Sequence, residues 1–178
     1  MAASISIETL TAEAFADFGD VIEAHEGDGF GINQGHTWRH HKLATVSTDQ
    51  LNDDAIISIF SSKRRPLPMA INMMERHPLG SQAFMPLTET PFLVVVAKPG
   101  PEPKLADLRA FVTNGKQGVN YSTGVWHHPL LILAPEQNFM VVDRAGEGNN
   151  LNEVMFSEGQ CGQLDVTDLI NKLTNSRE

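Results

Sequence analysis

Cysteine is nearly absent. Cys161 stands alone among 178 residues, so no intrachain disulfide can form and a small disulfide-stapled scaffold is excluded. Basic residues are also scarce: thirteen lysines and arginines face twenty-two carboxylates, giving a net charge of −9 that repels a phosphate backbone. The only basic run is Lys63-Arg64-Arg65, and nucleic acid is not an expected partner. No apolar stretch approaches the ~18 residues needed to cross a bilayer, and the opening MAASISIETLTAEAF has no basic segment followed by an apolar run. The sequence therefore predicts a cytoplasmic protein with no membrane partner. The negative charge would also repel an anionic metabolite at long range, so a small acid would need arginines placed to hold it.

What remains is the composition of an ordinary globular protein, 41% hydrophobic and 20% charged. A chain of this length buries roughly two thirds of its unfolded surface, enough for one self-sufficient core. We expect a single domain over 1–178, with about 165–178 as a helical tail. TAEAFADF (11–18) places Phe15 and Phe18 three apart behind a Thr11 cap, with Glu13 in the first turn and Gly19 as the stop, which predicts a short helix. DVTDLINKL aligns Val166, Leu169, Ile170 and Leu173 on one face of a second.

Between these ends the period changes. AIISIF, MAINMM, QAFMPL, FLVVVA, LRAFVT, GVNYS, HHPLLIL and FMVVDR are short runs rich in β-branched and aromatic residues, each closed by Gly, Pro or Asn. Eight strands with no helices between them predict an all-β sandwich or barrel rather than a parallel α/β sheet. KPGPEPKL (98–105) reads as a surface loop, and DRAGEGNN (143–150) has glycines but no following helix, so it is not read as a phosphate loop.

The chemistry concentrates in ERHPLGSQAFMPL, residues 75–87. On a strand, side chains two apart share a face, so Glu75 and His77 point one way and Arg76 the other. Pro78 and Gly80 make a corner that returns Gln82 to the same spot. This spacing resembles the first motif of the cupin barrels, usually His-x-His followed by Glu, with Glu75 in the first His position and Gln82 in the Glu position. STGVWHHPL resembles the second cupin motif, with Gly124 in place, Ser122 where proline is usual, and His127 on the ligand histidine. His128 alternates to the other face and is read as structural. The resemblance implies a cupin-like double-stranded β-helix, a jelly-roll barrel with short flanking helices. Two imidazoles, one carboxylate and one amide oxygen from Glu75, His77, Gln82 and His127 suit one divalent ion such as Ni²⁺, Mn²⁺ or Fe²⁺. The same residues also serve as a bare acid–base set, and the sequence leaves both open.

The longer strings RHPLGSQAF, RAFVTNGKQGVNY and VWHHPL resemble those of the ureidoglycolate lyase family of allantoin degradation, over nearly the whole chain. The resemblance implies a homodimer that cleaves ureidoglycolate to glyoxylate and urea. Such a reaction deprotonates a carbinol hydroxyl, protonates a leaving nitrogen and holds a carboxylate. Glu75 and His77 then form the base side, His127 is ligand or acid, and Gln82 is ligand or orienting amide. Arg39, Arg64 and Arg109 are the candidates for the substrate carboxylate, with Asn33 and Tyr121 for the ureido end. Two rival readings use the same set. A metal-dependent cupin oxygenase or amidohydrolase would consume oxygen or release ammonia, and a non-enzymatic acid-binding cupin would bind without turnover.

Overall fold

A computed structural model describes residues 3–48, 52–157 and 159–175. Among them strands dominate. The α-helices are Ala12–Phe15 and Thr167–Asn175, with 3-10 turns at Asn33–Gly35 and Leu105–Asp107.

Two sheets carry the architecture. A five-stranded antiparallel sheet runs in the order Gly19–Ile22, Gly118–Tyr121, Gln82–Pro86, Glu136–Ala145, Asp54–Lys63. A seven-stranded sheet runs Asn152–Met155, Met73–Arg76, Trp126–His127, Phe92–Ala97, Arg109–Val112, Ile7–Thr9, with Leu131–Ile132 also on Phe92–Ala97. Two smaller sheets join Ala3–Ser4, Gly162–Leu164 and Met69–Ile71, and pair Phe30–Ile32 with Thr37–Arg39.

The run FLVVVA explains the layering. Every residue of Phe92–Ala97 is buried, and alternation sends its side chains into two different cores. Phe92, Val94 and Val96 meet Phe84, Phe111, Phe139 and Val141 in one cluster. Leu93, Val95 and Ala97 meet Met69, Ile71, Met74 and Trp126 in the other. The C-terminal helix covers this second cluster with Leu169, Ile170 and Leu173, the face that its spacing predicts.

The N-terminal helix is shorter than expected. Thr11 does cap it, accepting the Ala14 N–H at 3.1 Å, but the helix closes after one turn at Phe15. Phe18 lies beyond it, and both rings are fully buried 5.7 Å apart. Gly19 then enters a strand at φ +143°, where a Cβ would run into the Asn120 carbonyl oxygen. MAINMM divides at Asn72: Met69–Ile71 joins the small sheet and Met73–Arg76 the large one. The short strands Ala3–Ser4, Ile7–Thr9, Gly19–Ile22, Asn152–Met155 and Gly162–Leu164, and the Phe30–Arg39 hairpin, were not expected from the sequence. Most are half-buried or exposed, so they carry little apolar alternation and exist through their pairing.

Candidate active site

Glu75 and His127 lie directly opposite each other on neighbouring antiparallel strands of the large sheet. His127 Nε2 stands 3.5 Å from Glu75 Oε1, and the His77 and His127 ring centres are 5.2 Å apart. Glu75, His77 and His127 each present one ligand atom, all within 4.8 Å of one another. Gln82 arrives from the five-stranded sheet and, with Glu75 and His77, lines a cavity of about 600 Å³. The two sheets are thus joined by polar tips, as the 75–82 spacing predicts. Arg76 does point the other way, stacking 4.5 Å over the Trp126 ring and donating to the Gly100 carbonyl at 2.7 Å.

The hydrogen bonds around the site leave lone pairs aimed inward. His77 Nδ1 is 2.7 Å from the Asn150 carbonyl and His127 Nδ1 is 3.0 Å from the Val125 carbonyl. A carbonyl only accepts, so each Nδ1 carries the hydrogen and each neutral ring keeps its Nε2 lone pair free. Both Nε2 atoms are buried without a hydrogen-bond partner. Gln82 donates its amide to Asp143 Oδ2 at 3.2 Å, which fixes its carbonyl oxygen, also buried and without a partner. Buried polar atoms are normally satisfied, so three such orphans beside one carboxylate mark a place where something binds.

Burial pushes the Glu75 carboxyl up, but the neighbouring imidazoles of His127, His77 and His128 outweigh it, and its pKa falls below the ordinary value. Glu75 is therefore a carboxylate at neutral pH. Burial first and Glu75's charge second push the Tyr121 hydroxyl well above its usual range, so it stays protonated. Tyr121 is 4% exposed and stacks on His127 at 4.3 Å and 14°. Its ring is a platform for the imidazole.

His128 is buried, and burial lowers its pKa to about 4 against an ordinary 6.5, although its Nδ1 bonds the Pro129 carbonyl. Between these values the unfolded chain binds a proton that the fold refuses. Stability is lost as pH falls from about 6.5 towards about 4. We expect urea unfolding to lose about 2 kcal/mol between pH 7.5 and 5 through this residue, a loss that His128→Gln removes. An unchanged pH difference in the variant would contradict the assignment.

The other expected substrate contacts lie elsewhere. Asn33 sits at φ +52° in a 3-10 turn and donates to Thr37 Oγ1 at 3.3 Å on an exposed hairpin. Arg39 is exposed on the same hairpin. Arg64 donates to the Leu133 carbonyl at 3.0 Å and lines a different cavity beside the C-terminal helix. Arg109 makes a two-pronged pair with Glu8 at 3.0 and 2.6 Å and lies 4.8 Å from the Phe111 ring centre. None of the four lines the cavity of Glu75 and His77. Arg65 does line it, together with Phe60, Ser62 and Lys63. Sequence reasoning also passed over Asp143 and Asn150. The loop they bound is no phosphate loop but a brace: the Asn150 backbone carbonyl fixes His77, and its side chain accepts the Leu79 N–H at 2.8 Å.

Comparison with known proteins identifies the family. The profile of the ureidoglycolate lyase family matches residues 2–162. A ureidoglycolate lyase of Pseudomonas paraeruginosa is 57% identical over 162 residues, 91% of this chain and 96% of that protein. One of Pseudomonas syringae pv. syringae is 58% identical over 159 residues, 89% and 94% of the two chains. A solved structure of a Legionella pneumophila dTDP-6-deoxy-D-glucose-3,5-epimerase superposes with a TM-score of 0.42 at 12% identity, over 62% of this chain and 59% of that one. With the profile spanning most of its length and relatives at this identity, the chain belongs to the ureidoglycolate lyase family.

Proposed function

We propose that this cavity cleaves ureidoglycolate to glyoxylate and urea. One observation carries the reading: two imidazole Nε2 atoms and an amide oxygen, all without partners, converge beside the ionised Glu75. The substrate loses its carbinol proton, its C–N bond breaks, and the departing urea nitrogen gains a proton as the glyoxylate carbonyl forms. Glu75 Oε is the anionic acceptor nearest the site, and His77 Nε2 is the second lone pair on the base side. His127 Nε2, facing Glu75 at 3.5 Å, is placed to carry the proton returned to nitrogen. Tyr121 holds the His127 ring and Gln82 orients the substrate's polar end. Cleavage is checked by product analysis. Equal glyoxylate and urea support the reading, whereas ammonia, oxygen uptake or no product would refute it.

The donor set also fits one divalent ion, Ni²⁺ or Mn²⁺, which Glu75, His77, Gln82 and His127 would hold. Both imidazoles bond a carbonyl through Nδ1 and offer Nε2, the arrangement that orients metal-binding histidines. When bound, such an ion supplies a Lewis acid that acidifies the carbinol hydroxyl. An imidazole that gives Nε2 to an ion cannot also carry the proton, which leaves proton movement to Glu75. We expect elemental analysis to find one divalent ion per chain and chelation to cut activity by about 10-fold or more, restored by Ni²⁺ or Mn²⁺. Full activity in the stripped protein would assign proton transfer to the imidazoles instead.

The antiparallel five-stranded sheet and the mixed seven-stranded one, with Met73–Arg76 beside the sequence-distant Trp126–His127, support a cupin-like double-stranded β-helix. The strand Asp54–Lys63 supports a homodimer. It is the outer strand of its sheet, with Ile57 73% and Ile59 59% exposed. A second copy laid antiparallel along it sets Asp54 opposite Lys63 and Ile57 opposite Phe60, a self-complementary match. Sedimentation is expected to give a dimer, and Ile57→Lys a monomer. A wild-type monomer at micromolar concentration would contradict this pairing.

A further inference from the structure

We propose that Arg65 is the carboxylate receptor of this cavity and restricts it to substrates carrying an α-carboxylate. The inference rests on the lyase reading above and adds a residue to it. Arg65 is half-buried and lines the same cavity as Glu75 and His77. Among the described residues its guanidinium makes no hydrogen bond and no ion pair, not even with Glu75 across the cavity. The other guanidiniums that touch protein are satisfied: Arg64 by Leu133, Arg76 by Asn152 and Gly100, Arg109 by Glu8, and Arg144 by Asp53. A half-buried planar cation without an anion, in a chain of net charge −9, is set aside for an anion that arrives from outside.

The backbone presents it. The ladder of Asp54–Lys63 ends at Lys63, where Arg64 turns aside, its N–H donating to the Pro135 carbonyl at 2.9 Å and its guanidinium to Leu133. Pro66 follows and restricts residue 65 to an extended conformation, so the side chain is aimed at little conformational cost. Lys63 lines the same mouth, but it is 85% exposed and 3.9 Å from Glu136, a point charge suited to attraction at a distance rather than a fixed grip. The guanidinium fork, by contrast, matches a carboxylate through two parallel hydrogen bonds.

The test compares wild type, Arg65→Gln and Arg65→Lys by steady-state kinetics on ureidoglycolate and on its neutral carboxamide analogue, and by calorimetric titration with glyoxylate. We expect Arg65→Gln to raise KM for ureidoglycolate by about 10- to 100-fold and to weaken glyoxylate binding by a similar factor. KM for the carboxamide should stay within about 3-fold, and Arg65→Lys should recover part of the loss. A KM and a glyoxylate affinity unchanged in Arg65→Gln would overturn the proposal while leaving the lyase reading intact. Wild type that forms no glyoxylate from ureidoglycolate, yet binds glyoxylate through Arg65, would overturn the lyase reading alone. Wild type that does not bind glyoxylate would overturn the receptor.

Discussion

Glu75→Gln lowers kcat for ureidoglycolate cleavage by about 10²- to 10⁴-fold, the range that a positioned general base contributes. The substitution keeps shape and hydrogen-bonding capacity but removes the charge. In the wild type that charge survives burial because imidazoles stand close to it, His127 nearest at 3.5 Å. A neutral amide there cannot accept the carbinol proton. The step that starts the cleavage fails, which is why the effect is large. KM changes little, because the carboxylate of the substrate is held by other residues. Glyoxylate release from folded protein is the measurement, and a variant within 10-fold of wild type would remove Glu75 from the proton pathway.

The second large effect is on stability. Phe15→Ala is expected to cost about 3–5 kcal/mol, a large part of the 5–15 kcal/mol that a domain of this kind possesses. Phe15 is 0% exposed and its ring centre lies 5.7 Å from Phe18, 5.7 Å from Phe111 and 6.2 Å from Tyr121. Removing it opens a cavity that strands on either side cannot close, because they are fixed by their ladders. The single-turn helix also has no independent stability, so its docking depends on this ring. Urea unfolding should show the loss, with Phe15→Leu losing clearly less; equal stability of Phe15→Ala and wild type would refute the anchoring role. The same ring leads to the site, since Tyr121 stacks on His127.

These two residues were both legible in the sequence, for different reasons. Phe15 follows from helical spacing behind Thr11, and Glu75, His77 and Gln82 follow from strand alternation broken by Pro78 and Gly80. Both are local rules. FLVVVA likewise announced a strand, although its burial on both faces came only with the structure. The substrate arginine was not legible, because parity counted along Asp54–Lys63 favours Arg64 beside Phe60 and Ser62. The ladder stops one residue earlier, and a carbonyl of a distant segment captures Arg64, which no local pattern encodes. Asp143 and Asn150 were hidden for the same reason: they support Gln82 and His77 from more than sixty positions away. Tyr121 and Asn33 offered suitable polar groups, but burial turned one into a stacking platform and a hairpin carried the other to the surface. The short edge strands have too few residues to show a period at all.

The central claim is that side chains from two sheets, brought together around one cavity, cleave ureidoglycolate. Its most direct test is a time course of glyoxylate and urea for the wild type beside the His77→Ala/His127→Ala double variant, with both shown to be folded by circular dichroism. We expect equimolar products from the wild type and none above the uncatalysed background from the double variant. A folded double variant that keeps the wild-type rate would place the chemistry somewhere else in the molecule.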